Sequence, residues 1–570
     1  MKKNATTSSL ETEYGWRFYV LLCILLLGVL GLIIRMLDLS IFDRPFLMSQ
    51  SKSRVLRMVD IPSYRGMIID RNNVPLAVSA PVDSIWINPH LFSADANQLA
   101  AMSAILHIKP EDLQQKISKK RGRAFVYLAR TLPPEVVDKI KALKVQGVFY
   151  QREYRRFYPS GEMTAHILGF TNIDDNGQEG LELAYNDWLR GVPGKRQVVK
   201  DRLGHIIANL GTVRPPQEGH DLQLSIDTRI QYLAYTTLQN AIPAFNADSG
   251  SVIVLDVSTG EILAMVNLPS YNPNAHTSHS ASYRNRAVTD IFEPGSTMKT
   301  FSVAAALESG KYKPTTLVDT RPGWMTIGGH KIRDDDYNGI INLTQILQKS
   351  SNIGVAKITL SLPSDNLWHF LTRMGFGSST QTGFPGEASG VLIKERLKRP
   401  ADLATTAYGY GMSASVLQLV KAYGIFAAHG IKRPLQFLKV DHAPAGEVAI
   451  SPGLADTMLG MLQAVAEGGN SLKAQVPGYH VGGKTGTAYM TGVGGYQRNR
   501  YSASFIGTAP LTHPRLVVAV TLHGVHGGVH FGAQVSAPVF ATVMGGALRY
   551  MNVPPDNMAP VVLEAKPDRP

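Results

Sequence analysis

Cysteine is nearly absent: Cys23 is the one thiol among 570 residues. An intrachain disulfide and a cysteine-based zinc site are therefore both excluded. The count says nothing of redox compartment, because disulfide-free proteins occur on either side of a membrane. Charge is modest at 18% of residues, against 44% hydrophobic and 8% aromatic. That is a globular balance and excludes wholesale disorder, collagen and coiled coil. No internal repeat is visible, and the length allows roughly three or four domains, or fewer if one is large. Long apolar runs are missing too, with one exception. Residues 18–34, FYVLLCILLLGVLGLII, carry no charge and lie between Arg17 and Arg35.

At about 1.5 Å per residue that run covers roughly 25 Å, the short end of a bilayer core. The flanking arginines can snorkel to the headgroups. It is longer than a usual signal-peptide core, and no small-residue cleavage site follows it, so a retained anchor is expected. Lys2, Lys3 and Arg17 precede the run while Arg35 and Arg44 follow, so the positive-inside count barely decides orientation. The chain carries a net charge of +13. That excess suits an anionic partner such as nucleic acid, lipid headgroups or an acidic polymer.

Beyond the anchor, residues 43–210 are basic and mixed, with a helical pattern near 97–117 and a basic turn, Lys119-Lys-Arg-Gly-Arg123. Residues 212–220, with Pro215-Pro216 and Gly219, read as a linker. Residues 222–226 alternate like a strand, and 251–256 with 261–266 flank a Ser-Thr-Gly turn as a hairpin. Helices are expected near 299–309 and 345–360, strands at 502–509 and 516–522, and a loose proline-rich end from 554. The second half reads as one α/β or α+β domain.

Three short motifs there carry chemistry. Ser296-Thr-Met-Lys299 follows Glu293-Pro-Gly295, so Ser296 should open a helix with Lys299 on the same face one turn on. A serine hydroxyl attacks poorly until a base takes its proton, and lysine can do so where burial and positive charge lower its pKa. The pattern alone is weak, since Ser49-Gln-Ser-Lys52 also matches beside the anchor. Of three S-x-N stretches, Ser364-Asp-Asn366 is set aside because Ser364 reads as a helix N-cap. Ser270-Tyr-Asn272 lies in a proline-rich turn upstream of Ser296. Ser350-Ser-Asn352 sits in a tight turn between helices, where Ser350 can relay a proton and Asn352 can hold a substrate amide. Lys484-Thr-Gly-Thr487 follows Val481-Gly-Gly483. Gly486 lets a substrate backbone lie alongside, Lys484 supplies charge, and Thr485 and Thr487 offer hydroxyls to a carboxylate. S-x-x-K, S-x-N and K-T-G in this order form the signature set of β-lactamases and penicillin-binding proteins.

From the anchor to about residue 557 the chain resembles class B penicillin-binding proteins, in their cell-division branch of the penicillin-binding protein 3 type. The likeness includes Arg65-Gly-Met-Ile-Ile-Asp-Arg71 with Pro75-Leu-Ala77, Arg155-Arg-Phe-Tyr-Pro159, and Gly180-Leu-Glu-Leu-Ala-Tyr185 with Leu189-Arg-Gly191. Arg284-Asn-Arg-Ala287, Tyr408-Gly-Tyr-Gly411 and Val535-Ser-Ala-Pro-Val-Phe540 also match. The resemblance implies an α+β protein. It would have a tail (1–17), a transmembrane helix (18–34), an elongated non-catalytic pedestal (35–215), a transpeptidase domain with an antiparallel sheet flanked by helices (216–555) and a flexible end (556–570). It implies a cofactor-free periplasmic D,D-transpeptidase that cross-links peptidoglycan stem peptides at the division septum. Its catalytic residues would be Ser296, Lys299, Ser350, Asn352 and Lys484. Substrate would be bound by Thr485, Gly486, Thr487, Tyr408, Tyr410 and Phe531, with the backbone N–H groups of Ser296 and Thr487 as oxyanion hole. Implied partners are β-lactams, a SEDS-family glycosyltransferase and other divisome membrane proteins. Two stretches depart from the family pattern: Tyr489-Met490 stands where a basic residue is common, and His530-Phe-Gly-Ala533 where relatives often carry two aromatics and two glycines.

Rival readings differ in what they need. A β-lactamase-like hydrolase needs a way to deacylate, and no E-x-x-L-N stretch lies between Ser350 and Lys484. A β-lactam sensor or non-catalytic scaffold would not turn over a donor peptide. An elongation-specific transpeptidase differs only by degree of resemblance. A nucleic-acid binder suits the charge but has no recognition signature. His523, His526 and His530 invite a metal, yet a glycine-rich loop with no fourth ligand argues for a solvated loop and no metal.

Overall fold

The apolar run near the N-terminus forms one helix, α1 (Gly15–Leu37), none of whose residues is buried. Its 23 residues extend about 34 Å at 1.5 Å each, and the helix is long and apolar enough to cross a membrane. The computed structural model describes residues 15–201, 206–275, 282–492 and 494–557. Most of the expected N-terminal tail, and the end from residue 558, lie outside them.

In the first half, strand Pro75–Ile87 pairs antiparallel with Val126–Leu132 and Val148–Phe157. The helical pattern near 97–117 is two helices, Ala96–Leu106 and Pro110–Ser118. His107 takes a left-handed backbone (φ 54°) that ends the first, and Pro110 opens the second. The expected linker is also corrected. Its first residues belong to strand Ile206–Arg214, paired with Gly194–Lys200.

The three motifs of this half, far apart in sequence, meet in space. Glu182 receives Arg65 Nε on one carboxylate oxygen and Arg156 Nε on the other, each at 2.6 Å, and all three side chains are buried. A guanidinium cannot shed its proton, so burying two is tolerable only around a shared carboxylate. Contacts then cross to the second half. The Asp70 carboxylate accepts from the Thr228 amide and hydroxyl, and Asn274 bonds both the N–H and the carbonyl of Tyr158. One apolar cluster runs from Ile68 and Leu76 through Leu181 and Leu224 to Ile253 and Phe301.

From residue 228 the elements relevant to the site are α2 (Thr228–Ala244), β1 (Ser249–Asp256), β2 (Ile262–Leu268), α3 (Lys299–Glu308), α4 (Leu343–Gln348), α5 (Asn352–Leu360), β3 (Gly482–Gly492), β4 (Gly495–Ala509), β5 (Leu516–Val525) and α6 (Gly532–Tyr550). The five strands form one antiparallel sheet in the order β2-β1-β5-β4-β3. Side chains alternate between two buried faces. Ile253, Leu255, Val517 and Ala519 face the helices that include α3, while Val252, Val254, Val518 and Phe505 pack with Leu238 of α2 and Phe540 of α6. Burial on both faces explains the near-continuous Val/Ile/Leu of these strands. The loose end expected from 554 is corrected at its start. Asp556 accepts from the backbone N–H groups of His480, Leu511 and Thr512 and so ties residues 554–557 to the sheet.

Candidate active site

Pro294 and Gly295 interrupt the chain ahead of α3, and Gly295 takes φ 56°. Residues Gly295–Met298 form a single tight turn that leads into α3. In a turn of three-residue pitch, side chains i and i+3 eclipse, which stacks Lys299 behind Ser296. Pro294, Gly295 and residues 297–300 are buried, while Ser296 is half-exposed. The turn therefore presents one hydroxyl to the cleft and keeps the amine inside.

Ser350 sits between α4 and α5 with φ 53°, an uncommon conformation for a residue with a side chain. Ser364 is not the N-cap expected: that position is Asp365, ahead of the helix Asn366–Arg373, and it makes no side-chain cap bond. Lys299 Nζ donates to Ser350 Oγ at 3.0 Å and, at closer range, to the Ser350 carbonyl. Lys484 Nζ donates to the same Oγ at 3.3 Å. The hydrogen bonds of the Lys299 amine thus go to Ser350 and not to Ser296. A neutral amine has two N–H groups and one lone pair. With both N–H groups spent on Ser350, the lone pair is what Lys299 has left for Ser296. Ser350 Oγ accepts from both lysines, which occupies its lone pairs and leaves its own O–H to donate outward.

Complete burial and the positive charge of Lys484 hold Lys299 well below the ordinary lysine value of 10.5, while Asp334 and Asp335 push the other way. Burial brings Lys484 down to about 8. A lowered lysine loses its proton as pH rises through the lowered value, so acylation should climb along a limb set by Lys299. Lys484→Met removes a positive charge beside it, letting the Lys299 pKa rise. The limb in a rate–pH profile of penicillin acylation should move to higher pH, and a limb that stayed put would separate Lys299 from the rate.

β3 is an edge strand, so one side of its backbone is free of sheet partners and can pair an extended peptide. It approaches the serine turn closely. A Cβ on Gly486 would meet the Pro294 carbonyl oxygen and the Thr297 methyl at 2.9 Å, so any side chain there would push the strand from the turn. Thr485 Oγ1 accepts from Lys484 at 3.3 Å, and Thr487 Oγ1 accepts from the Gly532 amide at 3.0 Å; neither bond uses the hydroxyl hydrogens. Asn352 donates its amide to the Arg333 carbonyl at 2.9 Å, leaving its oxygen for a substrate N–H. Tyr408 and Tyr410 form a half-buried pair with ring centroids 5.8 Å apart, and Tyr410 continues to Tyr496 at 5.9 Å. Phe531 is exposed at the start of α6 and packs on His530.

The three histidines do not converge. His523 lies within β5 and not in the expected loop; its Nδ1 pairs with Ser502 Oγ at 2.9 Å, and burial brings its pKa to about 4. His526 bonds the Gly524 carbonyl, and His530 stacks on Tyr501. Among the described residues no three His, Cys, Asp or Glu side chains gather in a metal-binding group.

Two acidic residues that the motifs do not name organise the cleft. Glu293 accepts from the Gly411 amide at 2.8 Å and from Tyr496 Oη at 3.3 Å, joining the serine turn to the tyrosine wall. Asp334 braces the Ser350 turn from outside. The run Asp334-Asp-Asp336 was the only signal in sequence, and it does not say which of the three turns inward.

Comparison with known proteins covers both halves. Residues 250–545 match the penicillin binding protein transpeptidase domain, and residues 60–224 the penicillin-binding protein dimerisation domain. The chain is 40% identical over 550 residues to the peptidoglycan D,D-transpeptidase FtsI of Escherichia coli K12, covering 95% of this chain and 93% of the relative. It is 39% identical over 546 residues to the probable peptidoglycan D,D-transpeptidase PbpC of Pseudomonas aeruginosa, covering 95% and 97%. Among solved structures, the transpeptidase domain of Burkholderia pseudomallei penicillin-binding protein 3 is 42% identical with a TM-score of 0.54, covering 59% of this chain and 98% of its own. A peptidoglycan synthetase from Bifidobacterium adolescentis shares the fold over 88% of this chain and 98% of its own, with a TM-score of 0.71 at 24% identity.

Proposed function

Because this chain belongs to the penicillin-binding protein transpeptidases that carry a dimerisation-type domain ahead of the catalytic one, we infer that it is a cell-division peptidoglycan D,D-transpeptidase working through a serine acyl-enzyme. The observation that most supports the reading is the convergence of Lys299 and Lys484 on Ser350 Oγ behind a half-exposed Ser296.

In the reaction, Ser296 Oγ attacks the carbonyl carbon of the penultimate D-Ala while the lone pair of Lys299 takes its proton. The oxyanion is received by the backbone N–H groups of Ser296 and Thr487. As the carbon–nitrogen bond breaks, Ser350 passes its outward proton to the leaving D-Ala amine and is refilled from Lys299. Lys484, Thr485 and Thr487 hold the donor carboxylate beside β3. Asn352, Gly486, Tyr408, Tyr410 and Phe531 contact the rest of the donor. The amine of a neighbouring stem then attacks the ester and restores Ser296.

The wider assignment follows from the same family. The chain is divided at about residues 215–216 into pedestal and transpeptidase domain, with α1 as a single membrane anchor, the bulk in the periplasm at the septum, and a SEDS-family glycosyltransferase with other divisome proteins as partners. The basic charge then suits anionic lipid and wall polymer and needs no nucleic acid.

A transpeptidase must keep water from the ester until an amine arrives. A β-lactam, whose ring fragment stays tethered, should therefore leave an adduct that outlasts hydrolase turnover of about 1–1,000 per second by orders of magnitude. Intact-mass measurement after mixing with penicillin reads this directly. Rapid return to the unmodified mass with excess hydrolysed drug would favour a β-lactamase.

A further inference from the structure

Serine is an unfavourable residue for a left-handed turn, yet Ser350 must hold φ 53° for its Oγ to meet both lysines. Something has to over-determine that backbone. Within the turn, Ser351 caps α5 by accepting from the Gly354 amide at 2.9 Å. That cap is itself gripped from outside. Asp334, on the loop between strands His330–Arg333 and Ile340–Asn342, accepts from the Ser351 hydroxyl at 2.6 Å and the Ile353 amide at 2.9 Å. A third donor, Asn338 Nδ2 at 3.0 Å, holds the carboxylate in that orientation. Ser350 is thus flanked by a residue whose side chain and whose helix entry are both tied to one carboxylate.

We propose that Asp334 is a positioning residue for acyl transfer at Ser296, setting through one carboxylate both the place of Ser350 Oγ and the charge balance around Lys299. The proposal rests on the acyl-enzyme reading above and adds to it a group that never touches substrate. Geometry carries the first half: Ser351, Ile353 and Asn338 all converge on it. Electrostatics agree with the second. The charged groups acting on the buried Lys299 amine are Lys484 from β3 and the pair Asp334 and Asp335 from this loop, while the α4–α5 turn contributes the carbonyl and hydroxyl of Ser350. Opposed charges of this kind let Lys299 be neutral enough to act as base without being so weak a base that it no longer accepts a proton.

Two substitutions separate the halves. Asp334→Asn keeps the shape and an oxygen for Ile353 and removes the charge; its amide NH2 also stands where Oδ2 accepted from Ser351 and Asn338, so the charge is read from the position of the pH limb and not from its height. Lys299 then loses a stabilising neighbour for its ammonium, and the acid limb of the acylation rate should move to lower pH, opposite in direction to Lys484→Met. Asp334→Ala removes the acceptors altogether and should lower the plateau rate about tenfold to a hundredfold, as expected when a reacting group drifts by about an ångström. The measurement is the rate of labelling of the full chain in detergent by fluorescent penicillin, from acid to neutral pH, with thermal unfolding recorded alongside. A role confined to holding the loop together would lower stability or rate without moving the limb. An Asp334→Asn profile that superimposes on the native one overturns the proposal, even if Asp334→Ala fails to fold. Absence of label on Ser296 in the native protein would instead overturn the acyl-enzyme reading.

Discussion

Ser296→Ala should abolish covalent labelling by penicillin while leaving the protein folded. Its Oγ stands at the open end of a turn whose other residues are buried, so the substitution removes an atom from the cleft wall and opens no cavity in the core. Lys299, Ser350 and Lys484 keep the contacts that order them, because none of those hydrogen bonds runs through Ser296. What is lost is the atom proposed to form the ester. Removing a nucleophile from an otherwise complete site costs on the order of a million-fold in rate. In practice label should be undetectable in gel fluorescence, with an unfolding midpoint close to the native one. Label persisting on Ser49, which is exposed in the helix Arg44–Val55 after the apolar N-terminal helix, or on Ser364 would mean that the wrong S-x-x-K or S-D-N stretch had been chosen.

The largest effect on stability should come from Glu182, far from the chemistry. Replacing it by Gln takes from Arg65 and Arg156, each with a side chain 1% exposed, the carboxylate they share, and leaves Asp175 acting on both, an acid whose own pKa burial pushes up to about 6. Neither guanidinium can escape by deprotonating, and breaking a buried ion pair from one side costs about 3–5 kcal/mol. Asp138→Asn is the control. It breaks the pair with Lys141, but the two side chains are 67% and 44% exposed, and such pairs are worth about 0–1 kcal/mol. Thermal or denaturant unfolding of the two variants in detergent should differ by several-fold in effect. Equal, small losses would mean that water reaches the Glu182 cluster.

The proposed chemistry was legible in sequence because it is local. Ser296 and Lys299 are three residues apart, Ser350 and Asn352 two, and Lys484 to Thr487 contiguous, so their spacing on a turn or strand is set by backbone geometry alone. The apolar N-terminal helix and most strands of the sheet were equally visible, since one-dimensional runs and periods specify them. Boundaries were less so. The helical pattern near 97–117 hid a break that rests on the left-handed backbone of His107, and Thr212 looked like linker although it completes a strand whose partner, Arg196, is sixteen residues earlier.

Everything that depends on groups distant in sequence was decided by tertiary structure alone. Spacing placed Lys299 beside Ser296, but only folding revealed that its two donors are spent on Ser350, fifty-one residues on, and that its lone pair is what remains. Arg65, Arg156 and Glu182 were three separate motifs until burial forced two cations to share one anion. Asp334 carried no motif at all. Its part in the cleft comes from a loop that folds back on the Ser350 turn, and no period or spacing encodes which of three adjacent aspartates will face inward. Sequence by itself determined which reactive groups are present and how neighbours along the chain align. Tertiary structure decided which hydrogen bonds are occupied and which charges are stripped of water, and those two conditions set where each proton resides.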